Sequence, residues 1–116
     1  MTSTEILPAT PELMRRFYGR MPRRTSEAIV AVRGDRVLGV AGIYRESGAA
    51  VAFSELSDEL KADKRALVRG ARTLTLMLER GGRDVYAMKG DAQGADVLLR
   101  HIGFEPAEMG AWVWRA

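Results

Sequence analysis

The stretch "SDELKADKRALVRGARTL", Ser57 to Leu74, concentrates the cationic binding chemistry of the chain. Lys61, Lys64, Arg65, Arg69 and Arg72 fall within it. Arg65, Arg69 and Arg72 are at helical spacing, so they would share one side of a helix. Such a row can meet phosphates, on a nucleotide or on nucleic acid, or it can be a solvated face. Asp63 suits the N-cap of the helix. The start of the stretch therefore has two readings, a cradle for an anionic ligand or the solvated beginning of a surface helix.

Other chemistries are narrowed by what is missing. The chain has no cysteine, which excludes disulfides, thiolate metal sites and a cysteine nucleophile, and fits a reducing compartment. His101 is the single histidine, so a His-rich zinc site is not expected and no metal is assigned. The net charge is +3, a mild excess. No aromatic–basic interleaving accompanies it, so nucleic acid is not an expected partner.

With 116 residues, 47% of them hydrophobic, the chain suits one compact domain over 1–116 with a core of its own. The first residues, "MTSTEILPATPE", lack the basic and apolar regions of a secretory signal. No apolar run approaches the ~20 residues of a spanning helix. A cytoplasmic, non-membrane protein is the expectation.

The elements follow from periodicity. Glu5 to Leu7 reads as a short strand. Thr10-Pro11-Glu12 reads as a helix start, with Leu13, Met14 and Phe17 at helical spacing and Gly19 as the stop. "SEAIVAVR" and "RVLGVAGIYRE" are strands joined by a hairpin at Gly34-Asp35. Their unbroken apolar runs predict a sheet covered on both faces. Ser47-Gly48 turns into a third strand, "AAVAFSEL". Asp63 to Arg80 is an amphipathic helix with Leu67, Ala71, Leu74 and Leu78 on its apolar stripe, ended by Gly81-Gly82. "RDVYAMK" is a strand with Val85 and Ala87 on one face and Tyr86 and Met88 on the other. "GDAQGADVLLRHIGF" is a helix, capped by Asp91, with Ala95, Leu98, Leu99 and Ile102 inward. "GAWVWRA" closes the sheet. The predicted fold is α/β (α+β), a mixed and mostly antiparallel sheet of about six strands flanked by helices.

In this order and spacing the chain resembles the GNAT superfamily, the acyl-CoA-dependent N-acetyltransferases. Four passages carry the resemblance: "EILPATPE", "AIVAVRGDRVLGVAGI", "VAFSEL" with its loop and long helix, and "ADVLLRHIGFEP". Together they cover nearly the whole chain. The short segment "FYGRMPRRT", where many relatives carry a second helix, is similar to compact members encoded by phages and prophages.

The resemblance implies acetyl-CoA as cofactor and an amine, on a small molecule or a protein, as acceptor. It places the pantetheine along the main chain of Ser54, Glu55 and Leu56. The family's pyrophosphate loop, Gln/Arg-x-x-Gly-x-Gly/Ala, corresponds to "KADKRA". There Lys61 replaces Gln or Arg, Lys64 replaces a glycine, and Ala66 agrees. Lys64 would bind phosphate through its side chain, with Arg65 and Arg69 beside it, and Asp63 would repel the pyrophosphate unless it serves as the cap. Glu55 is the candidate base, Ser54 would orient a water or the thioester carbonyl, and Tyr86 is the substitute acid. The family's acid tyrosine on the last helix is Leu99 here, and its asparagine is Ala92. His101 reads as a surface helix-end residue. Trp112 and Trp114 share one strand face, as pocket lining or as core. The alternative is a GNAT-like binding or structural protein without catalysis, associated with phage virion proteins. Exposed sheet edges would allow a homodimer.

Overall fold

A computed structural model describes residues 3–19, 27–88 and 95–116, with residues 95–97 in backbone alone. Seven strands form one sheet in the order β1-β2-β3-β4-β5-β7-β6. They are β1 (Thr4–Pro8), β2 (Glu27–Arg33), β3 (Arg36–Glu46), β4 (Ala49–Leu56), β5 (Val85–Met88), β6 (Glu105–Pro106) and β7 (Ala111–Trp114). The helices are α1 (Pro11–Tyr18), α2 (Asp58–Lys61), α3 (Lys64–Gly81) and α4 (Ala95–Ile102). β4 and β5 are parallel; every other strand pair is antiparallel. The expected α+β sheet is present, with a seventh strand from the two-residue β6.

Local chemistry explains the element ends. Thr10 caps α1, its hydroxyl accepting from the Leu13 N–H, and Pro11 opens the helix. Gly34 turns the β2–β3 hairpin at φ 64, a left-handed conformation that glycine adopts at little cost. Gly82, at φ 62, closes α3 and donates its N–H to the Leu78 carbonyl. The predicted cap Asp91 lies outside the described residues, as does Ala92.

Two cores form on opposite faces of the sheet. On one, α1 brings Met14 against Ala28, Val30, Val32 and Val40. On the other, α3 and α4 cover the sheet, with Ala71, Leu74, Met77, Leu78, Val85, Ile102, Phe104 and Trp112 in one cluster. Coverage of both faces accounts for the unbroken apolar runs of β2 and β3. Trp112 is a core residue and Trp114 packs against the same cluster.

The segment after β4 departs from expectation. Instead of a loop, residues Asp58–Lys61 make a helical turn whose N-cap is Ser57, its hydroxyl accepting from the Leu60 N–H at 3.2 Å. Leu60 anchors the turn in a third cluster with Ala31, Leu38 and Ala66. It sits directly over Gly39, where a Cβ would stand 2.5 Å from Leu60 Cδ2. A side chain there would push α2 off the sheet. Among the described residues no helix is long and apolar enough to cross a membrane.

Candidate acyl-transfer site

β4 is the strand around which the site is built. Its antiparallel ladder with β3 runs its full length, from Ala49 opposite Glu46 to Leu56 opposite Gly39. Its parallel ladder with β5 is much shorter and covers Ala50–Ala52 against Val85–Ala87. Phe53 to Leu56 therefore continue past β5, with one side paired to β3 and the other unpaired to any strand among the described residues. Backbone N–H and C=O groups on such an edge are free to bind an extended chain.

Successive β4 residues point to opposite faces. Ser54 and Leu56 point toward α3 and line an apolar cavity of about 60 Å³. Ala66 and Gly70 roof it, and Leu98 and Ile102 of α4 reach it from the side. Glu55 points the other way, toward α1, with Val40 as its cross-strand partner. Tyr18, at the end of α1, packs against the apolar cluster on this same face. Burial pushes the Tyr18 phenol up, and the Glu55 charge pushes it further the same way.

The residues expected to carry the chemistry are thus only partly brought together. Ser54 and Glu55 straddle the sheet rather than share one pocket. Tyr86 does lie on Glu55's face, yet it pairs with Val51, four residues before Glu55. At about 3.3 Å per residue that is ~13 Å along the strand. It borders a groove formed by Ser47–Ala50 and Gly81–Asp84, at the closed end of the sheet. Tyr18, at the end of α1, is the tyrosine whose titration the Glu55 charge raises. Leu99 packs against the core and His101 is exposed.

The window Lys61 to Ala66 is a joint between two helices. Lys61 ends α2, Ala62 and Asp63 bend the chain, and Lys64 begins α3. Lys61, Lys64 and Arg65 are exposed on the outside of the bend. Asp63 caps α3 as expected, accepting from the Ala66 N–H at 3.2 Å. Its other oxygen accepts from the Thr4 hydroxyl at 2.8 Å and from Arg33 Nη2 at 3.0 Å. The Thr4 hydrogen bond, the Ala66 N–H and Arg33 hold its carboxyl below the usual aspartate value. Arg33 Nη1 also reaches Glu59 at 3.1 Å, and Arg36 binds the same Glu59. Arginines flanking the β2–β3 hairpin thus clamp the joint. The Asp63 charge is neutralised inward and is not aimed at an approaching phosphate.

Arg69 is not part of the outer cationic rim. Its guanidinium donates to the Thr4 carbonyl at 2.6 Å and ties α3 to β1. Arg69 and Arg72 line a separate open groove with Glu5 and Thr73. No cluster of carboxylates and histidines able to hold a metal ion occurs among the described residues.

The overall fold recurs in solved structures. The ribosomal-protein alanine N-acetyltransferase of Escherichia coli is 12% identical, with a TM-score of 0.64 over 97% of this chain and 94% of its own. An acetyltransferase of the GNAT family from Staphylococcus aureus is 12% identical, with a TM-score of 0.61 over 97% and 99%. The fold is that of the GNAT acetyltransferases. A third GNAT-fold match, the Escherichia coli protein YhhK, was solved bound to coenzyme A; it is 11% identical, with a TM-score of 0.59 over 100% and 99%. None of the three is named as a phage protein. No protein-family model and no curated protein sequence matches the chain.

Proposed function

We propose that this protein is an acyl-CoA-dependent N-acyltransferase that acts on an amine, with acetyl-CoA as the donor. The observation that carries the reading is the run of β4 from Phe53 to Leu56, whose side away from β3 pairs with no strand among the described residues. It offers main-chain partners to the pantetheine arm. Beside it, the Ser54 and Leu56 side chains open an apolar cavity under α3. On the outer bend, Lys61, Lys64 and Arg65 would hold the pyrophosphate by side-chain charge, where a glycine loop would do so by backbone approach. The cofactor, when bound, supplies the activated acyl group.

The chain's own groups then have distinct tasks. The edge of β4 fixes the donor, and the joint neutralises its phosphates. Glu55, on the α1 side of the same strand, takes the proton that the acceptor amine releases. The structural match to a protein solved with coenzyme A supports the cofactor part of this reading.

Two measurements test it. A ligand present at 100 times its Kd stabilises the folded state by about 2.7 kcal/mol. For 116 residues the unfolding entropy is about 0.24 kcal/mol/K, so Tm rises by about 11 °C. Thiol release from acetyl-CoA over a panel of amines should then fall by at least about 100-fold in Glu55→Gln. No melting shift at millimolar acetyl-CoA sinks the reading. A clear shift with no thiol release favours a second one, a cofactor-binding protein without catalysis. Leu99, standing where the resemblance expects an acid tyrosine, is the observation that keeps that second reading in play.

A further inference from the structure

The cavity under α3 is large for the interior of a folded domain. Interiors are close-packed, and few voids exceed one water molecule. This cavity measures about 60 Å³, whereas a void that admits one water needs only roughly 10–15 Å³. Small residues keep it open on both walls. Ala31, Gly39 and Ala41 of β2 and β3 form the floor, and Ala66, Gly70 and Ala71 of α3 form the roof. It begins at Ser54 and Leu56 on β4 and reaches Ile6 on β1, so it crosses four neighbouring strands. Gly39 is bare because Leu60 occupies the space a side chain would need. At Gly70 a Cβ would meet only Ile6 Cδ1, at 3.8 Å, so its missing side chain adds room to the cavity and nothing else.

Water is a poor occupant of such a space. A buried water uses about two to four polar partners. Among the lining residues only Ser54 has a polar side chain, and none is charged. The backbones of β2 and β3 beneath it are paired on both sides, and that of α3 is paired within the helix. Apolar cavities of this kind stay dry and take apolar ligands. The mouth residues, Ser54 and Leu56, lie in the part of β4 whose outer side pairs with no strand among the described residues.

We infer that this cavity receives the acyl chain of the donor, and that the donor range extends beyond acetyl to linear acyl groups of about four to six carbons. This rests on the reading of the protein as an acyl-CoA-dependent transferase. Acetyl brings a single methyl group and leaves most of the cavity empty. Each further methylene that enters exchanges water for an apolar wall, which tightens binding about fourfold.

Calorimetric titration of the protein with acetyl-, butyryl-, hexanoyl- and palmitoyl-CoA, without any acceptor, tests this. Butyryl-CoA, two methylenes longer than acetyl-CoA, should bind about 15-fold more tightly, and hexanoyl-CoA more tightly again. The gain should then stop, with palmitoyl-CoA no better than hexanoyl-CoA, because the cavity is full. Gly70→Leu fills the cavity from its roof with a good helix former. Its melting temperature should equal or exceed that of wild type, while hexanoyl-CoA loses its advantage over acetyl-CoA. If wild type binds acetyl-CoA but affinity is independent of chain length, the acyl-chain site is overturned and the transferase reading stands. A gain that continues to palmitoyl-CoA, or that persists in a folded Gly70→Leu protein, marks apolar adhesion outside the cavity and overturns the site as well. A protein that binds none of the four overturns the transferase reading and this site with it. The wild-type series decides the matter even if Gly70→Leu unfolds.

Discussion

Gly70 sits in the middle of α3, where glycine is the least suitable residue short of proline. A helix-interior glycine destabilises by about 0.5–1 kcal/mol relative to alanine, because its backbone loses more freedom on folding. Nothing in the packing demands it. A Cβ built at Gly70 has one neighbour within 4 Å, Ile6 Cδ1 at 3.8 Å, which is ordinary van der Waals contact. What the missing side chain does leave open is the cavity roofed by Ala66 and Gly70, next to Ser54 and Leu56. We therefore expect Gly70→Ala to stabilise the cofactor-free protein by the full propensity difference. With an unfolding entropy of about 0.24 kcal/mol/K for 116 residues, Tm rises by about 2–4 °C. The same methyl group narrows the space beside the β4 edge, so the acetyl-CoA-induced rise in Tm should shrink. Melting curves of both proteins, with and without acetyl-CoA, measure both effects. A Gly70→Ala protein that melts at or below wild type refutes the claim that the position is unconstrained by packing. One that melts higher and responds fully to acetyl-CoA refutes the link between Gly70 and the ligand cavity.

Two further outcomes follow from the α2–α3 joint. Lys64→Glu puts a carboxylate on the exposed first residue of α3 and should abolish the melting shift with acetyl-CoA; an undiminished shift, read by the same assay, means the phosphates bind elsewhere. Asp63→Asn should lower Tm at neutral pH. Its hydrogen bonds from Thr4 and Ala66, with Arg33 beside them, hold the folded carboxyl below its unfolded value, so as pH falls the unfolded chain takes up the proton first. The gap between wild type and variant is then full above the ordinary aspartate range and closes as pH falls through the folded value. A pH-independent gap in melting curves would refute the network's electrostatic part.

What was legible in the sequence was mostly local. The hairpin at Gly34-Asp35, the Thr10 cap, the Gly81-Gly82 stop and the alternation of Val85 to Met88 each depend on a few adjacent residues, and each stands where expected. The α2 turn was also local, with Ser57 as its cap, but "SDELKAD" has no apolar period beyond Leu60, and a single helical turn leaves too weak a signal to separate from a loop. The site was harder because it depends on contacts distant in sequence. Tyr18 and Glu55 share a face only because α1 packs on the side of the sheet that carries Val40. Arg69 looked like a member of a cationic row until β1 came within reach of its guanidinium. Side-chain type and helical spacing cannot reveal that a charge is already used by a strand more than sixty residues away.

The joint at Asp63 shows how one residue changes the meaning of a motif. A glycine loop holds phosphate with its own N–H groups, which requires those groups to be free. Here the Ala66 N–H is taken by Asp63, and Asp63 is taken in turn by Thr4 and Arg33. The helix start thus has less backbone to offer than a glycine loop. Its remaining attraction for phosphate lies in the exposed side chains of Lys61, Lys64 and Arg65. Side-chain ammonium groups bind phosphate as mobile point charges, and their attraction is screened by salt far more than that of a buried backbone cradle. Cofactor affinity should accordingly fall between low and high ionic strength, while the pantetheine contacts along Phe53 to Leu56 are indifferent to salt. A melting shift with acetyl-CoA that is equal at 50 mM and 500 mM sodium chloride would place the phosphates on backbone after all, and would require Asp63 to leave its cap when the cofactor binds.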